Sequence, residues 1–255
     1  MAPKNNLQFA IRQYKPSDKA AVISLFRFGI LEHVYPAFFK AMSHPDHIGI
    51  ALSVSIAGYV LGGSSYFQAL LFGGAWAAVV YYCCHEIHDG YLKRRLDTEM
   101  ADIQTYFLDN PNNNFWVAEM EVNGRSRVAG LVAVVARKGE TDDGKGNGWN
   151  DGVIDAASLI GAGGDGSAGE VFKLVVSPQR RGNGLGMHLA ETAIEFCKEQ
   201  GLSTIVIETS STQTAALALF QKLGFKQTAS HNNTHANPWV SKLARISVFR
   251  MEKLL

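Results

Sequence analysis

The stretch 177-SPQRRGNGLGMHL-189 carries the strongest chemical signal in the chain. Gly182, Gly184 and Gly186 stand beside Arg180 and Arg181, between an apolar run (170-EVFKLVVS-177) and the start of an amphipathic pattern. A glycine-rich turn that opens a helix presents bare backbone N–H groups and the positive end of the helix dipole, which together favour an anion. An arginine reaches the same anion. Two nucleotide readings fail on spacing: no GxxxxGK[ST] run is present, and the turn reads GxGxG where a dinucleotide turn needs GxGxxG. Glu208 lies 22 residues past Gly186, so the acidic partner alone would not exclude the second reading; the glycine spacing does.

Other chemically capable residues are scattered. Glu119 closes the run 115-FWVAE-119, Glu208 closes 204-TIVIE-208, and Glu170 opens the run before the glycine turn. His85-Glu86-Ile87-His88 lacks the i, i+4 histidine spacing of a zinc-binding helix and reads as a surface pair. His231 and His235 fall in an Asn- and His-rich loop and read as exposed. The aspartates of 142-DDGKGNGWNDG-152 do not follow the EF-hand pattern. No metal is expected. Cys197 reads as core on an amphipathic helix. With Cys83 and Cys84 adjacent and one cysteine left over, a reducing compartment is expected.

These residues need a scaffold. The 255-residue chain has room for one large domain, and a formal net charge of +1 gives no global attraction to nucleic acid. Residues 1–20 lack the apolar core of a cleavable signal peptide. Residues 7–14 alternate as a strand, and Ser17 is placed as the N-cap of a helix over 18–33. From Ile48 to Cys84 run 37 residues with no Asp, Glu, Lys or Arg. A bilayer span takes ~20 apolar residues, and the break 62-GGSSYFQ-68 divides the segment into two apolar helices, 48–61 and 67–84. Neither has a polar face, which favours a membrane hairpin over a buried pair in a soluble core. A helix over 97–108 follows, then strands 115–122 and 128–138 joined by Asn123-Gly124. Residues 139–169 read as a flexible Gly-rich insertion. The remainder reads as strand 170–177, helix 183–200, strand 204–210, helix 213–223, a short extended piece at 225–228, a loop over 229–244 and strand 245–254. The layout is mixed α/β, with helices covering a sheet.

Val176, Pro178, Arg181, Gly182, Gly184, Leu185 and Gly186 together resemble the pyrophosphate turn of the GNAT superfamily of acetyl-CoA-dependent N-acetyltransferases, with the strand 174-LVV-176 before it. Residues 213-QTAALALFQKLGFKQT-228 are similar to the family's following helix and its closing Gly224-Phe225. The uncharged insert, with 29-GILEHVYPAFF-39, 98-TEMADIQTYFLDNPNNNFWVAE-119 and 205-IVIETSSTQTAALALFQKLGF-225, resembles the camello-like membrane N-acetyltransferases. That group includes the cysteine S-conjugate and aspartate N-acetyltransferases.

The resemblance implies a GNAT-like mixed sheet flanked by helices over 1–255, interrupted by a membrane-inserted helical hairpin at 48–84. It implies acetyl-CoA as co-substrate, held by Leu174, Val175 and Val176 on the strand, by Arg181, Gly182, Asn183, Gly184, Leu185 and Gly186 in the turn, and by Gln213. The slot strand is expected to splay from strand 204–210. Amine acetylation needs a proton acceptor and often an acid for the leaving thiolate. Glu119 and Glu208 are the candidate bases, with Glu170 behind them. The family's usual acid is a tyrosine on the penultimate helix; that place holds Phe220, whose ring cannot donate a proton. The expected acceptor is the amine of a small molecule, such as an amino acid or cysteine S-conjugate, or else a protein lysine; membrane lipid is an expected partner and nucleic acid is not. Arg12, Arg125 and Arg127 have no assigned place in recognising an acidic substrate. The other reading is a catalytically weak acyl-CoA-binding membrane protein. Strand 7–14 must join the strands after residue 115, so both ends of the insert lie on one side of the membrane. Lys40 and Lys93–Arg95 favour the cytosolic side, and an endoplasmic-reticulum membrane is expected.

Overall fold

The computed structural model describes residues 9–122, 124–138 and 167–255. Seven strands form one sheet: β1 (Phe9–Gln13), β2 (Asn114–Val122), β3 (Arg125–Lys138), β4 (Ser167–Val176), β5 (Thr204–Ser210), β6 (Lys226–His231) and β7 (Val248–Leu254). Their order is β1-β2-β3-β4-β5-β7-β6, antiparallel throughout except for β4 against β5. The helices are α1 (Lys19–Leu31), α2 (Val34–Met42), α3 (Pro45–Leu61), α4 (Tyr66–Asp97), α5 (Leu185–Glu199), α6 (Thr214–Lys222) and α7 (Pro238–Ala244). This is the mixed α/β sheet with flanking helices that the sequence pattern predicts.

Strand alternation sends side chains to two cores. On one face Phe115, Val117, Leu131 and Phe172 pack with Phe26 of α1, Ile87 of α4 and Phe107. On the other Val132, Val134, Val171, Ile205 and Ile207 pack with Leu185 and Leu189 of α5 and Phe220 of α6. Each fully buried side chain of this size contributes roughly 1.5–3 kcal/mol relative to exposure.

One irregularity positions the site. Ala133 of β3 faces Lys173 and Val134 faces Val171, so Phe172 is an extra residue on β4. A bulge bends its strand and increases local twist. The consequence is visible on the other edge. β4 pairs with β5 only through Ala168–Val171 against Thr204–Ile207, and beyond that the two strands part.

The structure corrects several element readings. Ser17 caps nothing: a short 3-10 turn covers Pro16–Asp18, and Asp18 is the N-cap of α1. Residues 97–108 are not one α-helix; α4 continues to Asp97, and a single wide π-type turn spans Gln104–Leu108. The loop read at 229–244 contains the end of β6 and all of α7, which Asn237 caps by accepting from Trp239 N. Residues 7 and 8, the turn residue Asn123 and the Gly-rich segment through residue 166 lie outside the described residues; Ser167–Gly169, counted into that segment, begin β4.

The apolar insert forms two helices joined at Gly62–Ser65. They approach closely through small residues. A Cβ at Gly58 would stand 2.8 Å from the Gln68 carbonyl, and one at Gly73 would stand 2.3 Å from Ser55 Oγ. Among the described residues, two helical stretches are long and apolar enough to cross a membrane by length and composition, Pro16–Met42 and Tyr66–Asp97. The first turns Val22, Phe26, Ile30 and Val34 into the core, whereas α3 and the first half of α4 leave Ile56, Val60, Phe67, Leu70 and Leu71 exposed.

Candidate active site

The glycine turn lies where β4 ends and α5 begins. Gly182 and Gly184 have φ of +79° and +80°, a region that favours glycine. Gly184 is the N-cap of α5, and its carbonyl accepts from Met187 N at 2.9 Å and His188 N at 3.1 Å, so the helix starts at once. Among the described residues, none of the N–H groups of Gly182, Asn183, Gly184, Leu185 and Gly186 donates to a backbone carbonyl. Leu185 is buried and anchors the turn to the core. A Cβ at Gly186 would meet only Leu219 and Val176 at ordinary contact distance, so its bareness serves close approach from outside rather than the fold. Arg181 donates from Nε to the Val176 carbonyl at 3.1 Å and pairs with Glu32 at the end of α1, which ties the turn to that helix. The arrangement suits a diphosphate lying on the helix N-terminus.

From the turn the path leads into the gap between β4 and β5. Val132, Leu131 and Gly130 of β3 pair with Leu174, Val175 and Val176, while the edge of these residues toward β5 has no strand partner. An extended thioester arm has an unpaired strand edge to run along there. Glu208 stands one residue past the last β4–β5 pair, opposite Arg250 of β7. Burial first, then the neighbouring Glu170 carboxylate, push the Glu208 carboxyl up to about 7, against the opposing pull of Arg250, Arg95 and Lys173. A carboxylate tuned to that value accepts a proton near neutral pH.

Around Glu208, on the face covered by α4, lies a cluster that sequence reasoning missed. Lys173 of β4 is buried and donates from Nζ to the hydroxyl of Tyr91 on α4. Its ammonium also sits 4.0 Å from the Phe172 ring centroid and 4.6 Å from that of Tyr91. Burial, the largest influence, and the Arg95 charge lower its pKa, with Tyr91 opposing. Arg95 is no solvated flank: it is buried, pairs with Glu99, and lies 4.9 Å from the Phe172 ring centroid. Two signals in the sequence could have found this cluster. Lys173 interrupts the apolar run EVFKLVV, and Tyr91 and Arg95 are i, i+4 neighbours if the apolar helix simply continues.

The remaining candidates are placed elsewhere or otherwise engaged. Glu119 lies on β2, separated from β4 by β3 and so about 10 Å away at ordinary strand spacing. Its carboxylate accepts from Arg12 Nε at 2.6 Å and from Ser126. Arg12 also holds Asp18 at 2.7 Å. The Gln213 carbonyl oxygen accepts from Thr209 Oγ1 at 2.7 Å and Ser210 N at 3.2 Å, pinning the start of α6. Phe220 is buried against Phe225, with ring centroids 5.2 Å apart, and belongs to the core. Cys197 is buried in the same core, and burial pushes its thiol up to about 12. His88 is buried with Nδ1 2.7 Å from the Cys84 carbonyl, His231 ends β6, and His235 Nδ1 accepts from Asn237 N at 3.0 Å. An apolar cleft of about 530 Å³ lined by Val54, Leu71, Phe72 and Trp76 belongs to the α3–α4 hairpin and lacks groups for this chemistry.

Residues 80–225 match the model of the acetyltransferase (GNAT) family. "N-acetyltransferase family 8 member 3" of Mus musculus is 30% identical over 224 residues, covering 86% of this chain and 85% of the relative. "N-acetyltransferase 8B" of Homo sapiens is 28% identical over 220 residues, covering 86% and 85%. Among solved structures, Arabidopsis thaliana NAA60 in complex with a bisubstrate analogue superposes with a TM-score of 0.52 at 9% identity, covering 97% of this chain and 99% of that one.

Proposed function

The chain belongs to the acetyltransferase (GNAT) family, and on that premise we propose that it acetylates the amine of a small molecule at a membrane surface. It is an acetyl-CoA-dependent N-acetyltransferase. The observation that carries the mechanism is the continuity from the Gly182–Gly186 turn, along the unpaired edge of β4, to Glu208. In our reading the turn and Arg181 hold the pyrophosphate, Leu174–Val176 flank the pantetheine arm, and Gln213 keeps the far wall in place. The acceptor enters the slot as the neutral amine, its ammonium proton having gone to solvent. The amine nitrogen attacks the acetyl carbonyl, Glu208 takes the one proton that nitrogen sheds as the N–C bond forms, and the C–S bond breaks to leave the thiolate.

The acceptor we infer is an amino acid or a cysteine S-conjugate rather than a protein lysine. Support comes from the mixture of charges beside the gap. Glu208 and Glu170 suit an ammonium group, while Lys173 favours a carboxylate nearby, with Arg95 and Arg250 already paired to Glu99 and Glu252; together these suit a compact zwitterion. We further propose that α3 and the first half of α4 enter the endoplasmic-reticulum membrane with the sheet on the cytosolic side. The uncharged part of α3, residues 48–61, extends about 21 Å, somewhat short of the ~27 Å core of that thin bilayer, and Asp46 just before it is ion-paired with Arg245. Lys93 is exposed beyond the apolar part and flanks it as the positive-inside rule requires.

The test is a product assay with the detergent-solubilised full chain, acetyl-CoA and three acceptor classes: free amino acids, cysteine S-conjugates and lysine peptides. N-acetylated product from either of the first two, with catalytic efficiency at least tenfold above the peptides, is expected. A preference for lysine peptides overturns the small-molecule assignment. Acetyl-CoA binding with no product from any amine overturns the proposal as a whole.

A further inference from the structure

Acetyl transfer moves two protons. One leaves the amine, and Glu208 accounts for it. The other must reach the departing thiolate, which is a poor leaving group unless protonated as the C–S bond breaks. The position on α6 that could have offered a hydroxyl is Phe220, an apolar ring locked in the core under α5 and α6. The opposite face of the gap carries a hydroxyl in a specific electrostatic setting. Tyr91 lies on the stretch of α4 that runs beyond the apolar hairpin onto the sheet, and its side chain is buried there. Lys173 donates to its oxygen, and Arg95, one helical turn further on, lies 5.2 Å from its ring centroid. Lys173 directly follows the bulge residue Phe172, at the point where β4 separates from β5, and directly precedes Leu174. The hydroxyl is therefore tied to the β4 residue at which that strand parts from β5, beside the two cations that also act on Glu208.

We propose that Tyr91 is the catalytic acid of this enzyme and that Lys173 is its positioning residue. The proposal rests on the acetyl-transfer reading above. The amine nitrogen forms a bond to the acetyl carbon while its proton passes to Glu208. The C–S bond breaks with its electron pair on sulfur, and the Tyr91 O–H proton passes to that sulfur, giving the free thiol and a phenolate. The phenolate sits against the cations Lys173 and Arg95, which stabilise its charge until a proton returns from Lys173 or solvent. Burial pulls the Lys173 pKa below its ordinary value, which suits an ammonium that returns a proton. The charged groups facing the pair are Arg95 and Glu99 from the end of α4, Glu170 from β4, Glu208 from β5 and Arg250 from β7. A membrane-proximal helix thus supplies a reacting group to the sheet's active site.

The experiment compares wild type, Tyr91→Phe, Lys173→Met and the double variant, using the full chain and the best acceptor from the product assay. Tyr91→Phe keeps the ring and its packing, and thermal melting checks that each variant folds. For Tyr91→Phe, kcat is expected to fall about 100-fold while the KM for acetyl-CoA stays within threefold of wild type. The descending alkaline limb of the kcat profile should also disappear. Lys173→Met should lose a similar factor, and the double variant should lose little more than either single, as expected for residues that act as one unit. Tyr91→Phe with wild-type kcat and an intact alkaline limb overturns the proposal. So does a defect confined to acetyl-CoA affinity. Wild type that binds acetyl-CoA but acetylates no amine removes the underlying reading and this inference with it, an outcome distinct from an active wild type and an unaffected variant.

Discussion

Gly184 shows how much of the site rests on single residues. Its φ of +80° costs an L-residue roughly 1–2 kcal/mol, although the space around its Cβ position is open, with His188 the nearest group at 3.9 Å. Gly184→Leu should therefore weaken acetyl-CoA binding at least tenfold in calorimetric titration while the fold survives; unchanged affinity would mean the anion does not sit on this turn. Glu119 is the opposite case. Bonded to Arg12 and Ser126, and two strands from the gap, it should matter to stability rather than turnover. Glu119→Gln is expected to cost about 1 kcal/mol in chemical denaturation and leave kcat within threefold. A 100-fold loss of turnover would return Glu119 to the mechanism. The sequence distinguished the glycine turn well because the spacing of three glycines is itself the chemistry. It could not rank the glutamates, because a strand-end carboxylate looks the same whether an arginine holds it or burial and a second carboxylate raise its pKa.

The elements were legible where one face is apolar with a clear period, and obscured where two roles share one helix. The sheet strands, α5 and α6 follow their patterns closely. α4 does not. Its composition changes at His85 from uncharged to charged, which suggests an end, yet the helix continues to Asp97 because Ile87, Tyr91 and Leu92 still bury against the sheet. Once the helix is seen as continuous, Tyr91 and Arg95 fall one turn apart on its buried face, and Arg95 leaves the basic flank that the sequence suggests. α1 makes a comparable contribution through its least conspicuous residue. A Cβ at Gly29 would lie 2.4 Å from Val175 Cγ1, so α1 rests directly on the slot strand. Gly29→Val should push α1 off β4, destabilise the fold by about 1–3 kcal/mol and raise the KM for acetyl-CoA several-fold with little change in kcat. An unchanged KM in a folded variant would show that α1 does not hold the slot strand in place. No local period reports such a contact, since it depends on how two distant segments pack.

At the scale of the whole molecule, a catalytic sheet and an apolar hairpin share α4. Leu70 and Leu71 are exposed on the hairpin. If the hairpin is embedded as we propose, Leu70→Arg places a charge in the apolar region at a cost of about 2.5–3.5 kcal/mol, and vesicle flotation should show roughly 100-fold weaker association. Equal flotation would remove the membrane role of this face. Glycosylation acceptors placed at either end of the hairpin should report the same side of the membrane; opposite sides would require a single span and contradict a continuous sheet built from β1 and β2. The proposed chemistry has acetyl-CoA in the β4–β5 gap and Glu208, whose carboxyl burial pushes up to about 7, taking the amine's proton there. Because the base must be ionised, kcat/KM should rise with pH up to and through about 7, apart from the acceptor amine's own titration. The decisive measurement is this profile in wild type and Glu208→Gln, with acetyl-CoA affinity measured in parallel. Wild type should show an ascending limb near pH 7. Glu208→Gln should lose that limb, react roughly 100-fold more slowly or worse, and bind acetyl-CoA with unchanged affinity. A Glu208→Gln enzyme that keeps both its rate and the limb would contradict the assignment of Glu208 as the base.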